Sequence, residues 1–175
     1  MRYTDERGFT VVELVVVSSL MILITGLLLV NTQSTRGRLA LERSLHQVAL
    51  DVTRAHELAL RSQAYTCASG SITGYGLAVD LANPGSYIVF AECNGTNSYE
   101  QGSDGIIETV SLSKGVVISQ TLPSPEWSIV FLPPDPQVFL KPGNPVQVQL
   151  SLIVQQDPSF IRTIVINSRG IADIQ

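Results

Sequence analysis

Cysteine, histidine and basic residues are all scarce in this chain of 175 residues. It has two cysteines and two histidines, and it lacks a Cys-x-x-Cys pair, so thiol-redox and zinc-binding motifs have no support. Eleven lysines and arginines stand against fifteen aspartates and glutamates, for a net charge of −4. This balance argues against a generally basic surface that would coat nucleic acid.

Residues that would indicate catalysis are also missing. Neither histidine belongs to a Ser/His/Asp or Cys/His arrangement, and no phosphate-binding or dinucleotide-binding glycine motif occurs. His46 and His56 are ten residues apart, or about 15 Å along a helix, so they cannot share one metal ion from that helix. We therefore predict a protein that is not an enzyme and has no cofactor.

Proline does not occur before Pro84, and the N-terminal part contains a long hydrophobic run. Residues 9–30 form a stretch of 22 residues with one ionisable group, Glu13. About 20 apolar residues in a helix span a hydrocarbon core of roughly 30 Å. We therefore predict that residues 9–30 form a single membrane-spanning helix, with the globular domain outside the cytoplasm.

Two ordinary explanations of this segment are weaker. A cleaved secretory signal has an apolar region of about 7–15 residues followed by a cleavage site with small residues. The apolar run here is longer, and no such cleavage site follows it. A plain anchor would carry Glu13 by accident, at a cost of roughly 2.5–3.5 kcal/mol in the membrane. A plain membrane-anchored periplasmic domain nevertheless stays open as an alternative.

Residues 31–63 are predicted to form an amphipathic stem helix. Six apolar residues recur at alternating spacings of four and three, which defines one helical face. We expect this stripe to pack on the chain's own sheet, because it is short for a coiled coil. Its members are Leu41, Leu45, Val48, Val52, Ala55 and Ala59.

Residues 64–175 change to short apolar runs separated by turn residues. The fold class predicted is α+β, a long N-terminal helix followed by an antiparallel β-sheet domain, since no second helix is visible. The predicted strands are residues 75–80, 87–93, 106–112, 116–122, 127–132, 146–155 and 161–167, with a short one at 170–174.

The motif Gly-Phe-Thr-x-x-Glu-Leu at residues 8–14, followed by the apolar helix, resembles the class III signal of type IV pilins and pseudopilins. The resemblance implies a prepilin peptidase that cuts after Gly8, removing residues 1–8 and leaving an N-methylated Phe9. It also implies a pilin-like fold, an inner-membrane assembly platform and other pilin or pseudopilin subunits as partners, and a filament after assembly.

The physical chemistry of this motif agrees with the resemblance. Cleavage would create an ammonium group at Phe9, and Glu13 lies about one helical turn further on. A carboxylate near a helix N-terminus is favourable. In the family, this glutamate is thought to pair with the terminal amine of a neighbouring subunit. Pairing within the chain and pairing between subunits both stay open.

The C-terminal third is similar to H-type pseudopilins and FimT/FimU-like minor pilins. The similarity lies in residues 115–119, 129–133, 146–152 and 162–170. It implies a structural minor subunit of a type IV pilus or a type II secretion pseudopilus. A DNA-binding minor pilin is the alternative, and it is disfavoured because only Arg162 and Arg169 are basic in this region.

Two features of the β region complete the expectations. A lone cysteine pair in an extracytoplasmic domain usually forms a disulfide, so we expect a Cys67–Cys93 bond, with two buried thiols as the alternative. Residues 92–105 gather oxygen ligands of the kind calcium binds, but without EF-hand spacing. We expect a solvated loop and keep calcium as a weak alternative, with the candidate ligands Glu92, Asn94, Asn97, Glu100 and Asp104.

Overall fold

The computed structural model describes residues 10–68, 70–134 and 137–175, and it leaves the side chains of residues 28–34 undescribed. One helix, α1 (Val11–Leu60), begins the described chain. Two compact units are present, Met1–Arg36 and Gly37–Gln175. In the first unit, the described residues from Val11 onward are helical.

Nine strands follow the helix in the described part of the second unit. They are β1 (Gly74–Asp80), β2 (Ser86–Glu92), β3 (Gly105–Ser111), β4 (Val116–Leu122), β5 (Glu126–Leu132), β6 (Gln137–Lys141), β7 (Gln147–Val154), β8 (Asp157–Asn167) and β9 (Ala172–Ile174).

The strands form two antiparallel sheets. The five-stranded sheet has the order β3-β2-β1-β5-β6, and the four-stranded sheet has the order β4-β7-β8-β9. Each pair of neighbours is antiparallel, which confirms the predicted α+β class. The strands are not paired only in chain order, because β1 pairs with β5 and β4 pairs with β7 across intervening strands.

Each of the eight predicted strands has a counterpart, and β6 was missed. Its local sequence signal is weak, because prolines flank it and only Val138, Phe139 and Leu140 are apolar. The register with β5 explains the strand: Leu140 lies opposite Ile129 and is fully buried. Long-range pairing therefore makes a strand where local composition indicated a loop.

The core joins the helix to both sheets. The six residues of the predicted stripe are each at most 3% exposed. They form one hydrophobic cluster with inward-facing residues of the two sheets, such as Ile129 of β5 and Leu150 of β7. The prediction that the stripe packs on the chain's own β structure is confirmed. The helix ends at Leu60, three residues before the predicted end of the stem at residue 63.

A glycine marks a second contact between the sheets. Gly170 lies in the turn between β8 and β9 with a φ of 75°, a backbone conformation that favours glycine. A Cβ at this position would overlap the ring of Phe131, which is fully buried on β5. The turn predicted at residues 168–170 is present, and it rests against the five-stranded sheet.

Candidate functional site

The start of α1 is held by a side-chain cap. Thr10 lies before the first helical residue, Val11, and its Oγ1 accepts a hydrogen bond from the backbone N–H of Glu13 at 3.2 Å. Its carbonyl accepts the first helical bond, from the N–H of Leu14 at 3.1 Å. Thr-x-x-Glu is the sequence of a capping box, in which the glutamate occupies the third helical position.

This cap corrects the expected start of the helix. The helix was predicted from Phe9, whereas the described helix begins at Val11, with Thr10 as its N-cap. Glu13 is exposed in the first turn, where the helix dipole favours a negative charge. Gly8 and Phe9 lie outside the described residues, so the processing site remains a prediction.

The side chains after the cap are apolar and exposed. Val11, Ile22 and Leu27 are 81%, 74% and 69% exposed. Every other residue between positions 11 and 27 is also exposed. Apolar surface of this extent is typical of an interaction site. Within the residues that the structure describes, no helical stretch is long and apolar enough to cross a bilayer.

A second candidate site is the loop of residues 93–104, which follows β2. Glu92, the last residue of β2, binds the main chain of this loop, and its side chain is fully buried. The Oε1 atom accepts hydrogen bonds from the backbone N–H groups of Asn94, Gly95 and Thr96 at 3.2, 2.7 and 3.1 Å. Thr73 donates its hydroxyl to the other carboxylate oxygen. These bonds compensate the burial of the carboxylate.

Asp104 closes the same loop. One carboxylate oxygen accepts from the N–H of Cys93 at 2.9 Å, and the other accepts from the N–H of Glu100 at 2.7 Å. Burial raises the pKa of Asp104, and the two backbone hydrogen bonds offset part of that rise. The carboxylate therefore joins the first and last parts of the loop.

The other calcium candidates also take part in the loop. The amide nitrogen of Asn94 donates to Glu100 at 2.8 Å, and its Oδ1 accepts from the backbone and hydroxyl of Thr96. Asn97 has a positive φ of 59°. In the described parts of the chain, no group of three or more His, Cys, Asp or Glu is arranged to hold a metal ion. The expected solvated loop and its weak alternative, calcium binding, both stay untested.

The predicted disulfide between Cys67 and Cys93 is present, with the two Cα atoms 5.8 Å apart. It joins the segment after α1 to the end of β2, where the loop begins. Two further contacts hold that segment: Tyr75 donates to the carbonyl of Gln63 at 2.6 Å, and the N–H of Thr73 donates to the carbonyl of Glu92 at 2.8 Å. The disulfide thus fixes the start of the loop at Cys93, and the hydrogen bonds of Asp104 fix its end.

The structure also shows where the two histidines and Arg162 lie. The ring of His56 packs on Phe131 with centroids 5.1 Å apart, whereas His46 is exposed. Arg162 donates to Glu42 at 3.3 Å. Of the two basic residues considered for DNA, Arg162 is therefore engaged by a carboxylate of the same chain.

One buried polar group was missed by the sequence analysis. Tyr87 of β2 donates its hydroxyl to Asp51 of α1 at 2.6 Å, and both residues are buried. Arg54 lies 3.8 Å from Asp51 and donates to Glu108 of β3 at 2.7 Å. Asp51 is not a member of the apolar stripe, and only the position of β2 shows that it faces a tyrosine.

A long, capped N-terminal helix followed by antiparallel sheets is consistent with a pilin-like fold. The chain is similar to the pilin-like protein PilA1 of Thermus thermophilus, with 26% identity over 177 residues that cover 97% of this chain and 99% of the relative. This similarity supports a type IV pilin-like protein. No model of a protein family and no solved structure matches the chain.

Proposed function

We propose that this protein is a structural minor subunit of a type IV pilus or a type II secretion pseudopilus, and not an enzyme. The observation that carries the proposal is the cap at Thr10 and Glu13, followed by a helix whose apolar side chains are exposed from Val11 to Leu27. Such a surface requires an apolar environment. The inner membrane supplies it before assembly, and the helices of neighbouring subunits supply it in the filament.

Processing prepares the subunit for assembly. A prepilin peptidase cuts after Gly8 on the cytoplasmic side of residues 9–30, which remain as a single membrane span. The mature chain starts at an N-methylated Phe9, and the globular part lies in the periplasm. The inner-membrane assembly platform then moves the subunit into the filament.

Glu13 has two roles in this proposal. Its backbone N–H completes the cap with Thr10, and its carboxylate lies in the first turn of the helix. A charged carboxylate there attracts an ammonium group, either the one at Phe9 of its own chain or that of a neighbouring subunit. In an apolar environment this attraction is stronger than in water, so it favours docking in one register.

The subtype is assigned from the C-terminal third. Residues 115–119, 129–133, 146–152 and 162–170 follow the pattern of H-type pseudopilins and FimT/FimU-like minor pilins. The terminal glycine of that pattern is Gly170, which has a positive φ and lies against Phe131. The globular part supplies the surface that contacts other minor subunits.

Mass spectrometry of the mature chain tests the processing step. We expect a chain that starts at a methylated Phe9. A Gly8→Val variant should retain Met1 and the leader, because it replaces the glycine after which the resemblance places the cut. A wild-type chain that keeps residues 1–8 would refute the assignment.

Substitutions of Glu13 test the role of its carboxylate in assembly, because every variant keeps the backbone N–H that completes the cap. Glu13→Val should insert in the membrane but enter filaments poorly. Glu13→Gln keeps a capping-box side chain while it removes the charge, so it should also assemble poorly if charge pairing matters. Ser18→Ala, at another exposed polar position of the same helical segment, is the matched control. Wild-type incorporation of Glu13→Gln would show that the charge is not needed.

A further inference from the structure

A trough crosses the outer face of the five-stranded sheet, the face opposite the helix-lined core. The register places one residue from each strand in a single row, in the order β3, β2, β1, β5 and β6. This row forms the floor of a cleft of about 640 Å³. Five strands spaced about 4.8 Å apart make it roughly 19 Å long. The row consists of Thr109, Ile88, Ala78, Ser128 and Lys141.

One wall of the trough is apolar and aromatic. It is formed by Ile106 of β3 and by Tyr99 from the loop of residues 93–104. The Tyr99 ring packs edge-on against Phe90 with centroids 5.1 Å apart, and its backbone N–H donates to Ser128 Oγ at 3.4 Å. Ile106 is 49% exposed. The wall is therefore fixed to the floor and still presents apolar surface.

The opposite wall is polar and acidic. Asp80 of β1 lies directly opposite Glu126 of β5, a pairing of like charges that is unfavourable for a sheet. Asp80 is oriented by bonds from the N–H of Ala82 at 2.7 Å and the side chain of Asn83 at 2.9 Å. Ser86 continues this wall. The polar wall therefore presents carboxylate acceptors and hydroxyl groups along the length of the floor.

We propose that this trough binds a neutral oligosaccharide. A sugar ring presents C–H groups on one face and hydroxyl groups at its edge, which matches one apolar wall and one polar wall. The cleft volume lies within the usual range for small-molecule sites, about 300–1,000 Å³. The proposal concerns residues 74–142 alone and is independent of filament assembly.

Other ligand classes fit the trough less well. An extended peptide gains affinity by adding main-chain bonds to a sheet edge, whereas this trough runs across the strands on the face of the sheet. Two carboxylates and one ammonium line it, at Asp80, Glu126 and Lys141. This balance opposes polyanions such as nucleic acid or polyphosphate.

The binding test uses the full-length protein in a zwitterionic detergent that contains no sugar. The probes are cellotetraose, N-acetylchitotetraose and mannotetraose. Isothermal titration calorimetry measures binding as a saturable change in heat, because Trp127, the single tryptophan of the chain, is buried in the helix-side core and does not report on the outer face. We expect a saturable change with at least one probe, with a Kd on the order of 1 mM or tighter. Polyphosphate and a neutral hexapeptide should give no saturable change.

Matched variants place the binding in the trough. Thr109→Tyr fills the floor at the edge strand and should weaken binding about tenfold or more, equivalent to about 1.4 kcal/mol. Asp173→Tyr, at an exposed position on edge strand β9 of the four-stranded sheet, lies outside the lining and should bind like the wild type. Glu126→Gln, at an exposed position, gives a second test if Thr109→Tyr does not fold by circular dichroism. No saturable response to any tetrasaccharide, equal losses in the two tyrosine variants, or binding of the hexapeptide alone would each overturn the proposal.

Discussion

The hydroxyl of Tyr87 on β2 donates to the Asp51 carboxylate on α1 at 2.6 Å, inside the core between helix and sheet. Tyr87 is 1% exposed and Asp51 is 7% exposed. A buried carboxylate is costly unless it is hydrogen-bonded. This bond therefore allows an acidic residue to sit beside the apolar stripe, and it links the helix to one particular strand.

Removing the Tyr87 hydroxyl should reduce stability at neutral pH. Tyr87→Phe leaves Asp51 without its buried donor, and we expect a loss of about 1.5–3 kcal/mol in the free energy of unfolding. Urea unfolding of the full-length protein in detergent measures it. Glu108→Gln, an exposed change in the same cluster, should cost less than about 1 kcal/mol. Equal losses in the two variants would contradict the role of the buried bond.

The same tyrosine predicts how stability depends on pH. Burial, together with the hydrogen bond and charge of Asp51, raises the pKa of Tyr87 above its ordinary value. The folded state thus holds the phenol proton more tightly than the unfolded chain, whose tyrosine pKa is about 10. The stabilisation is complete below that pH and is lost as the pH rises above it. Unfolding curves up to about pH 11 should fall less steeply for Tyr87→Phe.

The two faces of α1 should differ in their contribution to stability. Leu45→Ala removes a fully buried side chain, and we expect a loss of about 2–5 kcal/mol. Leu50, on the same helix, is 69% exposed, so Leu50→Ala should change stability by no more than about 0.5 kcal/mol. Denaturant midpoints of both variants provide the comparison. A Leu50→Ala variant as unstable as Leu45→Ala would contradict the assignment of the buried face.

Gly170 should tolerate alanine poorly, and Gly115 provides the control. Both glycines have positive φ angles, 75° and 83°. Only at Gly170 would a Cβ meet the Phe131 ring, because the space around Gly115 is open. Gly115→Ala should cost about 1–2 kcal/mol from backbone conformation alone. Gly170→Ala should cost about 1–3 kcal/mol more, from steric overlap. Thermal unfolding that gives equal losses would show that the Phe131 contact is unimportant.

Reduction of the disulfide should loosen the loop that it anchors. Cys67 and Cys93 are 26 residues apart, and a closed loop of that size restricts the unfolded chain by about 3.5 kcal/mol. The Cys67→Ser, Cys93→Ser double variant should lose stability of that order. Amide exchange at Gly95 and Thr96 should also accelerate. A reductant should affect the wild type and leave the double variant unchanged; an insensitive wild type would contradict the prediction.

Features with a local sequence signal could be predicted. The stripe from Leu41 to Ala59 was visible because a helix repeats every 3.6 residues, and its burial follows from that period. The Thr10-x-x-Glu13 pattern carried the signal of a capping box, although the sequence analysis used it only as part of a longer motif.

Features that depend on strand order had no such signal. Strand β6 contains few apolar residues, and its pairing with β5 is decided by the two-sheet topology. The row from Thr109 to Lys141 comes from five separate strands, so its members share no spacing in the sequence. The trough became visible only when the register aligned them.

The loop of residues 93–104 keeps its shape by an internal charge rather than by its surface. Glu92 holds three main-chain N–H groups, and residues other than proline supply such a group. Gly95 is constrained by its positive φ of 77°, and the side chain of Asn94 adds a bond to Glu100. Thr96 is exposed, so most of what holds its backbone lies beneath the surface. A solvent-facing label attached at position 96 should therefore leave the loop in place, because Glu92 and Asp104 still hold its main chain.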